Sequence, residues 1–346
     1  MKTARPLRLA AAFALAVCVS AAAPGSGQDR ALLFAEAAAA KVAEGPTVRG
    51  DDLEWFFPTR EVRHLAAGRF WERPWEEVAA NGADPLAGIA EFHGLLAERG
   101  VKLLVVPVPA KASVYPAALV EGFSAGEVAA LAPVHERLRE LGVDSLDLEP
   151  VFLERAGASP GTLLYCRQDA HFSPAAAALA AALVAEKCPV EAPAELGMAF
   201  SPGPEETLTF LGDQIVGSEW SGVVPPETLP VSYVLSASGE KGAAPDPASP
   251  VLLLGDSHTL VFHEGSEGGM HCAGAGVLDH LALRYGFAPD LVGVRGSGLV
   301  QARKQLFYRA SAEPGYWDSK RLVVWLFSAR EFTQSTDRPV PIPLSR

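Results

Sequence analysis

The sequence has few cysteines, more acidic than basic residues, and no long hydrophobic run beyond its amino terminus. Only 4 of its 346 residues are cysteine. The spacing of Cys166, Cys188 and Cys272 fits no zinc pattern, so these residues are either partly paired by a disulfide or buried as apolar groups. A net charge of −12 argues against nucleic acid or anionic lipid as the main partner. No histidine pair has metal-ligand spacing with a third ligand, so neither a catalytic metal nor another cofactor is predicted.

The amino terminus has the pattern of an export signal. Lys2, Arg5 and Arg8 precede an apolar run over 9–19, and small residues at 21–23 would allow cleavage. The run is shorter than the roughly 20 residues that a membrane-spanning helix needs. We therefore expect a signal peptide over 1–23 and a periplasmic or otherwise exported protein. An uncleaved anchor and a lipoprotein acylated at Cys18 are the less favoured alternatives.

Beyond this signal the hydrophobic pattern alternates between helical spacing and short apolar runs. Strands are predicted over 101–108, 143–146, 162–165, 251–254, 291–294 and 322–327. Helices are predicted over 31–43, 86–100, 127–141 with a restart at Pro133, 173–187, 277–285 and from 299 onward. This alternation is typical of an α/β fold, a three-layer α/β/α sandwich with a mostly parallel sheet. An N-terminal helical segment over 24–48 would precede one domain over 49–335, which carries an irregular, partly β insertion over 188–248, and a tail over 336–346 would follow.

Ser257 follows the apolar run 251–254 within the sequence Gly255-Asp256-Ser257-His258. In a parallel sheet the carboxyl end of a strand is where functional groups gather, and Gly255 permits a sharp turn. The free N–H groups of Ser257 and His258 would then point toward a developing oxyanion. A serine that only caps a helix remains equally compatible with these residues.

A base for such a serine is offered by Asp169 and His171, which lie just before the predicted helix cap Ser173. With one residue between them, the carboxylate can hold one ring nitrogen while the other nitrogen faces Ser257. Taken alone, an Asx turn beside an exposed histidine explains the same residues. His258 lies close enough to tune the site but is badly placed to deprotonate its neighbour, and His271 and His280 are interpreted as surface or core groups.

Two further features lie after predicted strands. The loop Gly296-Ser297-Gly298 could bring its backbone near a substrate and donate an N–H to the oxyanion, although a flexible loop explains it as well. Lys111 follows the strand over 101–108 and is a second candidate at the same edge. A solvated surface lysine is the default interpretation of that residue.

With these residues placed, the chain resembles the alginate O-acetyltransferase family of AlgJ/AlgX type, whose members carry an SGNH-hydrolase-like domain. Four segments match in order, and a fifth closes the domain: Trp55-Phe56-Phe57 with Arg60-Glu61-Val62-Arg63; Val106 to Lys111 with Tyr115-Pro116; Asp169-Ala170-His171-Phe172; Leu254-Gly255-Asp256-Ser257; and Val323 to Phe327. In that family the Asp-x-His pair precedes the serine block, as it does here. The family usually has Trp at the position of Phe172 and an aromatic residue at the position of His258. These two differences bear on how the substrate is recognised and not on the triad.

The resemblance implies Ser257 as nucleophile, His171 as base and Asp169 as its orienting group. Lys111 and Tyr115, which lie in the second matching segment, are kept as candidate oxyanion or substrate residues. It implies a polysaccharide O-acetyltransferase that receives acetyl from a donor, relayed by a membrane-bound O-acyltransferase, and passes it to a polysaccharide acceptor. Two alternatives remain open from the sequence. The same triad with water as acceptor would be a carbohydrate acetylesterase, and a non-catalytic polysaccharide-binding protein could keep the fold.

Overall fold

The computed structural model describes residues 29–196, 199–338 and 340–345, so the predicted signal peptide lies outside the described residues. The strands are β1 (Thr47–Arg49), β2 (Phe56–Pro58), β3 (Lys102–Val108), β4 (Asp144–Ser145), β5 (Ser201–Phe210), β6 (Glu227–Leu235), β7 (Val251–Gly255), β8 (Asp290–Gly293) and β9 (Leu322–Ser328). The helices are α1 (Arg30–Lys41), α2 (Thr59–Ala66), α3 (Trp75–Val78), α4 (Pro85–Ala97), α5 (Lys111–Val114), α6 (Pro116–Leu119), α7 (Ala132–Glu140), α8 (Glu149–Ala158), α9 (Pro174–Lys187), α10 (Val277–Tyr285), α11 (Val300–Ala312) and α12 (Glu331–Gln334). Short 3₁₀ helices form at Phe70–Glu72 and Ser257–Thr259.

Five parallel strands form the central sheet in the order β4-β3-β9-β7-β8. The three middle strands are apolar on both faces, because each face is covered by helices. Their carboxyl ends lie side by side at one edge. The loops after β3, β7, β8 and β9 therefore all begin at the same rim of the sheet.

Side chains of alternate strand residues enter two separate cores. Leu253 and Val324 belong to the core that packs against α9 and α10, whereas Leu254 and Trp325 belong to the core that packs against α4, α7 and α11. Trp325 is 1% exposed, and full burial of a large apolar side chain stabilises a fold by about 1.5 to 3 kcal/mol. The two cores confirm the predicted three-layer α/β/α sandwich.

The predicted insertion over 188–248 contains an antiparallel hairpin of β5 and β6. The strands β1 and β2 form a second small antiparallel pair. Near the carboxyl terminus, Ile342 and Leu344 are each 6% exposed and pack into the core that contains Trp325. Cys166, Cys188 and Cys272 are all free thiols.

Most predicted elements form within one or two residues of their expected bounds, including α9 with Ser173 as its cap. The Ser173 hydroxyl accepts from the Ala176 N–H at 3.3 Å, and proline occupies the first turn. The helix predicted over 127–141 begins only at Ala132, because Pro133 suits a first turn and disfavours helical backbone before it. Within the described residues, no helix has the length and apolar character to cross a membrane.

The strand predicted over 162–165 is wrong. This segment joins no sheet, and only Tyr165 makes an isolated bridge, to Phe172. Its backbone is satisfied locally instead: the Leu164 N–H donates to the Tyr115 hydroxyl at 3.0 Å, and the Leu164 carbonyl accepts from the Ser173 N–H at 2.9 Å. The segment is a loop that leads directly into Asp169 and His171.

Candidate active site

Ser257 lies at the end of β7, in the first turn of a 3₁₀ helix, and is 7% exposed. Gly255 is required at the turn, because a Cβ there would lie 1.7 Å from the Leu326 carbonyl oxygen. Asp256 fixes the turn from both sides. Its Oδ1 accepts from the His258 N–H at 2.9 Å, and its Oδ2 accepts from the Ser328 N–H at 2.7 Å. The His258 amide, expected to face an oxyanion, is therefore occupied.

The loop before α9 brings His171 to Ser257, although the two residues are 86 positions apart. His171 Nε2 lies 2.7 Å from the Ser257 hydroxyl oxygen, and Nδ1 lies 2.5 Å from Asp169 Oδ1. Asp169 is fully buried and His171 is 6% exposed. The structure thus brings the three residues into a hydrogen-bonded chain that can move a proton from the serine hydroxyl to the imidazole.

The buried Asp169 and His171 pair favours opposite charges on the two groups. Burial by itself would raise the pKa of Asp169, but the neighbouring imidazoles of His171 and His271 hold that pKa well below its ordinary value. Burial would likewise lower the pKa of His171, yet the adjacent Asp169 carboxylate raises it above the ordinary value, with smaller support from Asp213 and Asp256. A raised pKa makes His171 a stronger base for Ser257.

Both oxygens of the Asp169 carboxylate are hydrogen-bonded. Oδ1 accepts from the backbone N–H of His171 at 3.1 Å and from the ring Nδ1 of the same residue. Oδ2 accepts from the backbone N–H of Asp213 at 2.8 Å and from His271 Nε2 at 2.9 Å. Asp213 Oδ1 in turn accepts from the Ala170 N–H at 2.8 Å. Ligand atoms of Asp169, His171 and Asp213 lie within 4.8 Å of one another, so this is a cluster that could hold a metal ion. The Asp169 oxygens, however, already accept N–H donors.

His258 lies behind the base rather than beside a substrate position. It is 2% exposed, and its Nδ1 is 3.0 Å from Asp256 Oδ1. Its ring meets the rings of His171 and Phe172 edge to face, at 5.0 and 4.8 Å between centroids. Burial lowers the pKa of His258, although Asp256 opposes that shift. A neutral imidazole that packs against His171 fits the tuning role expected from the sequence better than an oxyanion role.

Lys111 is not the solvated surface lysine that was the default expectation. It is fully buried, and its Nζ donates to the backbone carbonyls of Phe56, Arg167 and Asp169 at 2.6, 3.0 and 3.1 Å. Burial lowers its pKa, and the nearby Glu61 carboxylate opposes that change. Lys111 therefore holds the backbone of the Asp169 loop from behind and does not reach the cavity at Ser257.

Tyr115 is likewise a supporting residue. Its hydroxyl accepts the Leu164 N–H, and its ring packs 4.8 Å from that of Trp55. Tyr115 and Lys111 are both absent from the walls of the cavity at Ser257. The Lys111 ammonium and the Tyr115 hydroxyl instead contact the loop that leads to and carries the Asp-x-His pair, so their part in substrate binding stays a prediction.

The loop Gly296-Ser297-Gly298 is only partly at the cavity. Gly296 lines it, whereas the Ser297 hydroxyl donates to Asp337 Oδ2 at 2.8 Å and the Gly298 carbonyl accepts from Trp325 Nε1 at 2.7 Å. A Cβ on Gly298 would lie 2.4 Å from that of Phe327. Gly298 thus allows the loop to pack on β9, and Gly296 is the member of this loop that borders the cavity.

A cavity of about 560 Å³ is lined in part by Ser257, His171 and Asp169. Four arginines that the sequence interpretation had not assigned to the site line it: Arg60, Arg63, Arg295 and Arg330. Arg330 is 8% exposed, and within the described residues its Nε and Nη1 have no hydrogen-bond partner. A larger cavity of about 850 Å³ lies beside Lys102 and Leu322, at the amino ends of β3 and β9, and shares no lining residue with the cavity at Ser257.

Sequence reasoning also missed His271 and Asp213. His271 lies 102 positions from Asp169, and Asp213 lies in the insertion, 44 positions from it. No short-range pattern marks either residue. The arginines did carry a signal, because Arg60 and Arg63 belong to the polar run after Trp55-Phe56-Phe57, and Arg295 directly precedes the glycine loop.

Comparison with known proteins gives the family of the chain and agrees with its fold. A family model described as SGNH hydrolase-like domain, acetyltransferase AlgX, matches residues 48–264. The O-acetyltransferase domain of Pseudomonas putida AlgJ superposes with a TM-score of 0.60 at 21% identity, over 84% of this chain and 93% of that one. Pseudomonas aeruginosa AlgX superposes with a TM-score of 0.56 at 20% identity, over 84% of this chain and 63% of that one. No curated protein matches the chain in sequence. Since the family model covers more than half of the chain, the chain belongs to the family of the SGNH hydrolase-like domain, acetyltransferase AlgX.

Proposed function

We propose that the protein is a polysaccharide O-acetyltransferase that works through an acetyl ester of Ser257. The observation that carries the proposal is the hydrogen-bonded chain from the Ser257 hydroxyl through His171 to Asp169, at 2.7 and 2.5 Å. A serine hydroxyl is a weak nucleophile, and a base within hydrogen-bond reach activates it. Membership of an acetyltransferase family supports acetyl as the transferred group.

In the first step Ser257 Oγ attacks the carbonyl carbon of a donor acetyl ester while its proton passes to His171 Nε2. The bond between that carbon and the donor oxygen breaks, and His171 returns the proton to the departing oxygen. In the second step a sugar hydroxyl gives its proton to His171 and attacks the acetyl-enzyme. The bond to Ser257 breaks, and the serine regains a proton. We propose the Ser257 N–H, at the start of the 3₁₀ helix, as a backbone donor to the oxyanion of both steps.

The arginine-lined walls support a polysaccharide acceptor that carries acidic groups. Guanidinium groups bind carboxylates with two parallel hydrogen bonds. Arg330 has buried N–H groups without partners in the described residues, and Arg63 and Arg295 lie exposed at the mouth. An acidic sugar held at these residues would present a neighbouring hydroxyl to the acetyl-enzyme.

We also propose that the protein acts after export and receives acetyl from a membrane-bound O-acyltransferase. The support for export is the basic and apolar pattern over 1–23, which lies outside the described residues. Fractionation of cells that produce the full chain tests it. A mature protein that begins after residue 23 in the exported fraction agrees with the proposal, and full-length protein in the cytoplasm contradicts it.

The function is tested by acetyl release from a model acetyl ester with purified protein. Ser257→Ala should lower the rate by about 10³-fold or more, because the remaining groups cannot form the acyl-enzyme. Ser238→Ala, at an exposed position in the turn after β6, is the matched control and should leave the rate unchanged. Equal rates for Ser257→Ala and wild type would refute the assignment.

A second measurement separates transfer from hydrolysis. The protein is incubated with an acetyl donor and an acidic oligosaccharide, and the products are examined by mass spectrometry. Acetylated sugar supports the transferase, and free acetate alone supports a carbohydrate acetylesterase. Oligosaccharide binding without turnover, unchanged by Ser257→Ala, would favour a non-catalytic binding protein.

A further inference from the structure

His271 donates a hydrogen bond to the carboxylate that orients the proposed base. Its Nε2 lies 2.9 Å from Asp169 Oδ2, and Asp169 is fully buried. An ionised carboxylate only accepts hydrogen bonds, so His271 must carry its proton on Nε2. The Asp169 carboxylate is thus bonded by two imidazoles, His171 on one oxygen and His271 on the other.

The two bonds together fix the plane of the carboxylate. A carboxylate held only at Oδ1 can rotate about its bond to Cβ, and the direction in which it holds His171 then varies. His271 and the Asp213 N–H bind Oδ2 from the other side, at 2.9 and 2.8 Å. Rotation would break both of these bonds, so Oδ1 remains directed at His171 Nδ1.

His271 is itself held in place by an unusual backbone conformation and by aromatic contacts. Its φ is 68°, in the left-handed region that a non-glycine residue rarely adopts. Its ring lies 4.1 Å from that of Phe210 and 5.7 Å from that of Phe262, between centroids. Such a conformation is unfavourable for a non-glycine residue and persists only where the surroundings enforce it. Here the surroundings are the hairpin strand β5, which carries Phe210, and the chain that follows Ser257.

We propose that His271 is a positioning residue for acyl transfer, which fixes Asp169 so that Asp169 can orient His171 toward Ser257. This inference rests on the proposed function, because it assigns His271 a part in activating the same serine. It also makes the insertion hairpin part of the catalytic apparatus, since Phe210 holds the His271 ring.

The test measures how fast phenylmethanesulfonyl fluoride modifies Ser257, followed by intact mass. His271→Phe keeps an aromatic ring between Phe210 and Phe262 but removes the N–H, whereas His271→Gln keeps a donor. We expect His271→Phe to slow sulfonylation about tenfold. His271→Gln should stay within about threefold of wild type, because its amide N–H can still reach a carboxylate. Both variants should keep the wild-type urea midpoint within about 10%.

A double-mutant cycle with Asp169→Ala shows whether His271 acts through the carboxylate. In the Asp169→Ala background, His271→Phe should cause no further loss. Three results would overturn the proposal: a wild-type rate in His271→Phe, equal slowing in the Gln and Phe variants, or an undiminished loss in the Asp169→Ala background.

The same assay separates this inference from the proposed function. Sulfonylation needs no acetyl donor and no sugar. A protein that shows the expected cycle but transfers no acetyl group would retain the role of His271 and lose the proposed function. A wild-type protein that takes up no sulfonyl group at Ser257 would overturn both.

Discussion

Glu331 should make the stability of the protein fall as the pH rises through neutrality. Its side chain is 1% exposed, and within the described residues neither carboxylate oxygen has a hydrogen-bond partner. Burial raises its pKa to about 7 from an ordinary value of 4.5, although the positive charges of Arg330 and Arg60 oppose the change. Because the folded pKa lies above the unfolded one, the stabilisation is complete below about pH 4.5 and is lost as the pH passes about 7.

The pKa difference corresponds to about 3 kcal/mol in the free energy of unfolding when the group is fully ionised. Glu331→Gln removes the titration but keeps the size of the side chain. Between about pH 5 and about pH 8, wild type should therefore lose about 2 to 3 kcal/mol relative to Glu331→Gln. Urea unfolding at constant ionic strength, followed by tryptophan fluorescence, measures both proteins.

The control is Glu154→Gln in α8, because Glu154 is exposed. Its difference from wild type should stay nearly constant over the same pH range. Parallel curves for wild type and Glu331→Gln would refute the reasoning. That result would mean that Glu331 is as well solvated or paired in the folded protein as in the unfolded chain.

Two further substitutions test the supports of the triad. Lys111→Met should lower the free energy of unfolding by about 3 to 5 kcal/mol, because buried Glu61 and three backbone carbonyls lose their cation. The control Lys187→Met, at an exposed position, should lower it by less than about 1 kcal/mol. Equal losses in urea unfolding would contradict this. Gly255→Ala should abolish sulfonylation of Ser257, since its Cβ would overlap the Leu326 carbonyl, while Gly157→Ala has open space and should react normally. A normal rate in Gly255→Ala would refute the required turn.

The sequence was informative where a functional residue lies beside the end of a regular element. Ser257 lies two residues after the end of β7, and Asp169 and His171 lie just before Ser173, the cap of α9. Because the carboxyl ends of parallel strands share one edge, a strand predicted over 162–165 placed Asp169 and His171 at the same edge as Ser257. The structure brings them together, even though the strand expected before Asp169 is a loop.

The sequence was least informative where burial or distant contacts decide the role of a residue. The position of Lys111 just after a strand suggested a solvated surface residue. In the structure, three backbone carbonyls instead accept hydrogen bonds from its buried ammonium group. His271 has no neighbour in the sequence that marks it, since its partner is a carboxylate on another loop. The helix α8 was not predicted, because only Glu149 and Phe152 are buried in it and no large apolar residues recur at helical spacing within it.

The insertion contributes directly to the loop that carries the base. The Glu227 carboxylate accepts from the Arg167 and Gln168 N–H groups at 2.8 and 3.0 Å. The Asp213 N–H donates to Asp169 Oδ2, and Asp213 Oδ1 accepts from the Ala170 N–H. A chain trimmed to the layered sandwich would still present Ser257 at its strand end, but it would lose these anchors of the base. The smallest unit able to activate the serine is therefore set by the hairpin and its flanking turns, and an engineered minimal domain has to retain them.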